Sequence, residues 1–324
     1  MKKPELSIVI PIWNAEASVG RIIGRILQQQ NFIKFELILV NDGSTDGTGQ
    51  ILQDFAASDQ RVKLITQKNA GQSAARNVGI EKATGQYLMF FDADDDIEPE
   101  MLEVMVKNIS KSDSDLVACG WRTDLLHKGK VIRDYNVFSP KPFTMSGNPN
   151  IRRQVVKSVL ENGLFYNLWN KIYRLDIVKK YRLKLTRDLR FGEDLTFNLE
   201  FLKRAEKVAA ISEALYRYSY GSDSSEVRKS SLDYQNRLRN FQSLENFADS
   251  SDPEQQKLLQ KIKRRWFLSF ARAITESNLP NQQKITRLKQ AGQHENLPLS
   301  KSPKTLLNFI KFVVAIRNLK ILLK

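Results

Sequence analysis

The sequence predicts an α/β fold: a mostly parallel sheet with helices on both faces, followed by a helical C-terminal region. Three observations predict it. Apolar runs of strand length alternate with segments of helical spacing over the first 120 residues. Acidic turns follow two of those runs. Of the 324 residues, 41% are hydrophobic and 27% charged, which suffices for a sizeable core.

The elements follow in order. Residues 6–11 (Leu-Ser-Ile-Val-Ile-Pro) form an apolar strand. Residues 15–30 place Val19, Ile22, Ile23, Ile26 and Leu27 at helical spacing. Residues 35–40 are a second strand, and residues 45–58 a helix with Asp46 as its N-cap. A third strand spans 62–66, a third helix 72–83, and a fourth strand 87–91. Pro99, at a first helical position, opens a helix to about Ser110. Residues 116–119 form a short fifth strand. Residues 121–144 read as irregular, with a turn at His127-Lys128-Gly129-Lys130. Segments 151–162 and 193–205 are helical. From Leu232 the chain is helical and polar, broken near Asn278-Leu279-Pro280 and Leu297-Pro298. Strand–helix alternation of this kind gives a parallel sheet with ligands beyond the carboxyl ends of its strands.

Composition bounds the function. A single cysteine, Cys119, allows no internal disulfide and fits a reducing compartment. The first residues, Met-Lys-Lys-Pro-Glu, lack the apolar core of a signal peptide. The net charge is +15, and the residues from Ser225 onward, with 19 Lys+Arg against 8 Asp+Glu, hold +11 of it. A basic tail of this kind calls for an anionic partner. In residues 304–324, Lys304, Asn308, Lys311, Ala315 and Asn318 form a narrow polar stripe with apolar residues around the remainder. Charges at Lys311, Arg317 and Lys320 argue against a spanning segment. The reading is an amphipathic helix on an anionic membrane surface, weighed against a helix packed on protein. Lys261 to Arg265 adds a basic cluster. A cytoplasmic protein, peripheral on the inner face of the membrane, is the expectation.

Chemistry concentrates at the strand ends. The first strand ends in Pro11-Ile12-Trp13-Asn14, the second in Asn41-Asp42-Gly43-Ser44-Thr45-Asp46-Gly47, the fourth in Asp92-Ala93-Asp94-Asp95-Asp96. Carboxylates packed this closely raise one another's pKa, and a divalent cation relieves the repulsion. Asp-x-Asp oxygens suit Mg²⁺ or Mn²⁺, which shares its shell with substrate phosphates. Asp46 reads as a cap or turn residue; Asp42 and Asp94 read as functional.

These runs resemble glycosyltransferase family 2. Residues 6–14 look like that family's opening strand and turn. Ile38-Leu-Val-Asn-Asp-Gly-Ser-Thr-Asp-Gly47 is similar to its nucleotide-binding turn. Asn69-Ala-Gly-Gln-Ser-Ala-Ala-Arg-Asn-Val-Gly79 matches the segment presenting an Arg-Asn pair, and Phe90-Phe-Asp-Ala-Asp94 the metal-binding DxD region. The match covers roughly residues 5–110, with later matches at Trp169-Asn170-Lys171 and Gly192-Glu193-Asp194. It implies the Rossmann-like GT-A fold over residues 1–224, with a nucleotide-binding half over about 5–120 and an acceptor half over about 121–224. A basic helical region then follows over 225–324.

The resemblance also implies roles. Asp42 would accept from a uracil-like base, with Pro11 and Asn14 lining its pocket. Arg76 would face the diphosphate, Asp92 the ribose or sugar, and Asp94 would hold Mn²⁺ or Mg²⁺. Asp194 would be the general base with Glu193 beside it, and Trp169 would line the acceptor site or sit in the core. Ala93 replaces the Ser of many relatives at a position that is not a ligand. The implied reaction is inverting transfer of a hexose or N-acetylhexosamine from a nucleoside-diphosphate donor, UDP-sugar favoured. The acceptor would be a hydroxyl of a glycan or lipid-linked glycan, in envelope or extracellular polysaccharide synthesis. The alternative is an inactive scaffold of the same fold. A dinucleotide oxidoreductase would need Gly-x-Gly-x-x-Gly after the first strand, where Pro11-Ile12-Trp13-Asn14 stands. No nucleic-acid module is present, so nucleic acid is not an expected partner. His127 and His294 have no metal-ligand partners at useful spacing and read as surface residues.

Overall fold

The computed structural model describes residues 3–29, 34–127, 130–189, 191–221 and 232–294. The expected alternation runs from β1 (Leu6–Ile12) through α1 (Val19–Leu27), β2 (Phe35–Asn41), α2 (Thr48–Ser58), β3 (Val62–Thr66) and α3 (Gln72–Lys82) to β4 (Tyr87–Phe90). These strands lie side by side as β3-β2-β1-β4, all parallel. Every residue of β1 and β2 is buried, which is why both read as continuous apolar runs.

Alternate side chains supply two cores. Val9, Ile38, Val40, Leu88 and Phe90 face one; Ile8, Ile10, Leu37, Leu39 and Met89 face the other, beneath Ile22, Ile23 and Ile26 of α1. Each such buried aliphatic side chain contributes roughly 1.5–3 kcal/mol. α3 lies so close to β1 that a Cβ on Gly79 would stand 2.2 Å from Val9 Cγ1.

Past β4 the chain adds β5 (Asp96–Ile97), α4 (Met101–Ser112), β6 (Leu116–His127), β7 (Lys130–Phe138), β8 (Phe143–Ser146) and α5 (Asn148–Glu161). Then come β9 (Lys171–Arg174), α6 (Leu175–Lys180), α7 (Glu193–Leu202) and β10 (Lys207–Gly221). The sheet continues β4-β9-β6-β10-β5, with β7 on β6 and β8 on β10. Pairing becomes mixed here. β9 is antiparallel to both β4 and β6, β10 is parallel to β6, and β5, β7 and β8 join antiparallel.

This half corrects the irregular reading of residues 121–144. β6 does not stop at residue 119 but runs on between β7 and β10. Its extension carries Arg122 and Asp124, so it shows no apolar run. Pairing is held instead by tertiary contacts, among them Arg217 to the nearly buried Asp124 at 2.8 Å. β9 (Lys-Ile-Tyr-Arg) is too short to signal itself, and β10 is irregular between Ala210 and Tyr216. His127 pairs with Lys130 across the expected turn, whose residues 128 and 129 lie outside the described residues, as do the side chains of His127 and His294.

Three helices close the described chain: α8 (Tyr234–Phe247), α9 (Pro253–Glu276) and α10 (Asn281–His294). α9 and α10 break at the expected Asn278-Leu279-Pro280. Phe241, Leu244, Phe247, Leu259 and Ile262 share one core with Val155 of α5 and Phe201 of α7. α10 rests on a smaller cluster through Leu288 and Ala291. Residues 222–231, where the expected 224/225 boundary falls, and 295–324, which include the tail helix 304–324, lie outside the described residues. No helix among the described residues is long and apolar enough to cross a membrane.

Candidate active site

The loops after β1 and β2 are laced together. Asn14, held in the left-handed region at φ 47°, accepts from Thr45 N at 2.8 Å through Oδ1 and donates its backbone N–H to Ser44 Oγ at 3.0 Å. Asp46 accepts from Thr48 N at 3.1 Å and Glu16 N at 3.3 Å; α2 starts later than expected, at Thr48 with Gly47 as its N-cap, so Asp46 closes the turn before the helix rather than capping it. Pro11 is buried within β1. Trp13, between them, is 57% exposed at the carboxyl edge of the sheet. Its sequence signal is an aromatic residue placed just past the last residue of an apolar strand.

Asp42 is nearly buried. Its oxygens accept from Gln67 Nε2 (2.6 Å), Ala70 N (2.9 Å) and Gly71 N (2.8 Å). It therefore ties the end of β2 to the loop that starts α3. Three of roughly four acceptor positions on the carboxylate are filled, and one remains.

Arg76 is the centre of the site. It projects from α3 with a side chain 3% exposed. Nη2 donates to Asp92 Oδ1 at 2.6 Å, beyond the end of β4. Nη1 donates to Asp194 Oδ1 at 3.0 Å and lies 3.7 Å from Glu193 Oε1, both in the first turn of α7. One guanidinium thus faces three carboxylates, and the cluster is short of positive charge. Burial, then the Asp194 charge, pushes Glu193 up to about 7. Burial also raises Asp194; Arg76 opposes that and Asp92 adds to it. Asp194 Oδ2 accepts from Leu168 N at 3.2 Å.

Asp94 is raised by burial and by the neighbouring Asp92 charge. Asp95, raised well above the ordinary range by burial and both neighbours, accepts from Tyr216 Oη (2.6 Å) and Ser219 N (2.8 Å). Arg21 donates to the Asp94 carbonyl at 2.8 Å. Among the described residues no group of three His, Cys, Asp or Glu side chains is arranged to hold an ion by itself. A hard cation fits here as one that completes its shell with diphosphate oxygens, where it would relieve the Asp92–Asp94 crowding.

The structure therefore brings Asp92, Arg76, Glu193 and Asp194 together and places Asp94 two residues beyond. Trp169 is 5% exposed, stacked on Tyr216 at 4.4 Å and 12° and edge-on to Trp121 at 5.5 Å. It is a wall rather than an open surface. Lys171, fully buried on β9, donates to Asn167 O and to Asn170 Oδ1 (2.7 Å), and burial pushes it down to about 7. It underpins the turn that offers Leu168 N to Asp194. The run Trp169-Asn170-Lys171 was its only sequence signal.

The sequence model described as Glycosyl transferase family 2 matches residues 7–182, more than half of the chain. The chain is 33% identical over 218 residues to the uncharacterized glycosyltransferase EpsJ of Bacillus subtilis, covering 66% of this chain and 61% of that one. It is 30% identical over 214 residues to the uncharacterized glycosyltransferase YibD of Escherichia coli, with the same coverage. The chain thus spans about 61% of the length of these relatives. Among solved structures, S. aureus TarS in complex with UDP-GlcNAc superposes with TM-score 0.57 at 19% identity, covering 89% of this chain and 71% of that one. The mannosyltransferase PcManGT of Pyrobaculum calidifontis, in complex with GDP-Man and Mn²⁺, gives TM-score 0.56 at 15% identity, covering 98% and 88%. These likenesses establish the GT-A fold.

Proposed function

The chain belongs to glycosyltransferase family 2, and from that premise we propose that it transfers a sugar, with inversion, from a UDP-sugar to a hydroxyl of a glycan or lipid-linked glycan. The observation that carries this reading is the Arg76 bridge between Asp92 and Asp194. It sets a carboxylate of α7 beside the end of the donor-side sheet.

In this reading Asp194 takes the proton of the acceptor hydroxyl as its oxygen bonds to the anomeric carbon, and the nucleoside diphosphate leaves from the opposite face. Arg76 and the Leu168 N–H hold the base in place, and each of its oxygens keeps room for one more hydrogen bond. Asp94 would hold a divalent cation, Mn²⁺ or Mg²⁺, which would supply charge neutralisation on the leaving group. Asp42 accepts from the base, Trp13 stacks on it, and Pro11 and Asn14 shape its pocket; Asp92 meets the ribose or sugar. Asp194, 118 positions from Arg76, joins the donor residues only in the fold. The UDP-GlcNAc and GDP-Man complexes of the structural neighbours support a nucleotide-sugar donor. In this reading the basic residues 304–324 bind the anionic inner face of the membrane, where the sugar would be added during polysaccharide synthesis.

The test is release of free nucleoside diphosphate from a panel of nucleotide-sugars, with and without Mn²⁺ or Mg²⁺. Metal-dependent turnover of one donor, lost in Asp94→Asn, is the expected result. Failure to bind any donor with metal present would sink the reading. Removing residues 304–324 should abolish co-sedimentation with anionic vesicles; unchanged binding would refute the membrane role.

A further inference from the structure

A cavity of about 960 Å³ is lined by Glu193 and extends from Ala70 and Gly71, whose amides hold Asp42, to residues of the C-terminal helices that the donor reading does not use. It is at the upper end of the ~300–1,000 Å³ of small-molecule sites. One wall is the start of α3, where Gln72 donates to Asp92 at 3.2 Å and so joins the cavity to the carboxylate cluster. α10 also lines it, through Arg287 and Gln290. Tyr234 and Phe270, both buried, form an apolar floor, and Arg187 stands at the rim.

The lining holds four charged side chains: Arg187, Arg287, Glu193 and Asp233. The two carboxylates are already engaged. Asp233 caps α8 by accepting from Asn236 N at 3.0 Å. Glu193 lies against Arg76 and carries a proton over part of the neutral range. The arginines are less committed. Among the described residues Arg287 donates only to Leu232 O, at 3.3 Å, and Arg187 has no hydrogen bond or ion pair. The first turn of α3 has no side-chain cap, so its amides add to the positive field.

We propose that this cavity is the acceptor subsite, and that it selects an acceptor bearing an anionic group, phosphate or carboxylate, read by Arg187 and Arg287. The proposal rests on Asp194 being the base: the cavity's lining carries both Glu193, which precedes Asp194 in the chain, and the two arginines. The Gln72, Gln235 and Gln290 amides suit sugar hydroxyls, and the two guanidiniums suit an anion's paired oxygens. A neutral acceptor would leave both cations unused. C-terminal helices on this wall thereby contribute to acceptor choice, not only to the core.

The experiment uses the full chain saturated with UDP and Mn²⁺, so that the diphosphate region is filled. Binding of glucose 1-phosphate, glucuronate and glucose is measured by calorimetry. The expected result is a preference of about tenfold or more for a charged sugar over glucose. Arg187→Ala/Arg287→Ala should remove that preference, leaving UDP affinity and melting temperature unchanged, since both side chains are exposed. Comparing the phosphate and carboxylate arms identifies which anion is read. Equal binding of glucose and the charged sugars, or an unaffected double variant, overturns the proposal. Donor hydrolysis that persists in either case shows that the transferase reading survives. Arginine-dependent anion binding without hydrolysis of any donor would retain the site and reject that reading.

Discussion

Arg76 Nη1 reaches Asp194 Oδ1 at 3.0 Å although 118 positions separate them in the chain. The same guanidinium holds Asp92 at 2.6 Å, so one side chain of α3 fixes the end of β4 to the start of α7.

Removing Arg76 should damage both stability and activity. Arg76→Met leaves Asp92, Glu193 and Asp194 buried or half-buried without their shared cation, an expected cost of about 3–5 kcal/mol. Arg76→Lys keeps a charge but cannot donate to two carboxylates in a fixed fork. The lysine variant should regain part of the stability and little turnover. Denaturant melts and donor turnover on both variants check this; a fully active Arg76→Met would show that the bridge is dispensable.

The Glu193–Asp194 pair sets a pH dependence with a definite sign. A general base works deprotonated, so transfer should rise with pH as Asp194, raised by burial and coupled to Glu193, gives up its proton. Glu193→Gln removes a neighbouring negative charge and should move the acid limb to lower pH. Stability runs the other way. Both carboxyls are raised in the fold, and the unfolded chain gives up these protons nearer the ordinary Glu value of 4.5. Raising pH from that range to about 7 therefore costs stability. pH–rate profiles and pH-dependent melts test the two signs separately.

Trp13 offers a clean separation of binding from folding. It is 57% exposed, so Trp13→Ala should alter stability by no more than about 0.5 kcal/mol. Stacking of a base on an aromatic is worth roughly 1–3 kcal/mol, so UDP affinity should drop about tenfold. Unchanged UDP affinity, read by calorimetry, would place the base elsewhere.

Gly192 couples the C-terminal helices to the turn that begins with Glu193 and Asp194. Its φ is +85°, and a Cβ there would lie 2.1 Å from Asn240 Nδ2, which donates to Phe191 O at 2.9 Å. Gly192→Ala should cost about 1–3 kcal/mol and reduce turnover by shifting Glu193 and Asp194. Gly147→Ala shares the strained φ, at +87°, but a Cβ there would meet only Asn150 Nδ2, at an ordinary 3.9 Å, and it should lose stability while keeping its turnover. Equal turnover in the two variants would remove the coupling.

The parallel half of the fold was legible because β1, β2 and β4 are buried on both faces and so write themselves as apolar runs, while β3, part-exposed at the sheet edge, still carries Val62, Leu64 and Ile65. Its ligand edge was legible for a related reason: Asp42, Asp92 and Asp94 stand where those runs stop. β6 beyond residue 119, β9 and β10 were not legible. Their pairing depends on partners such as Asp124 and Arg217, 93 positions apart, and leaves no local periodicity.

The sequence by itself determined the strand–helix alternation, the acidic strand ends, the basic C-terminal third and the family resemblance. These are local properties, set by side-chain period and by which residues turn the chain. Only the tertiary structure decided that Arg76 serves three carboxylates at once, that Trp169 is walled in by Tyr216, and that α10 and the start of α3 line one cavity. Those relationships arise where distant segments meet. There, burial and the sum of nearby charges, rather than residue identity, fix what each group does.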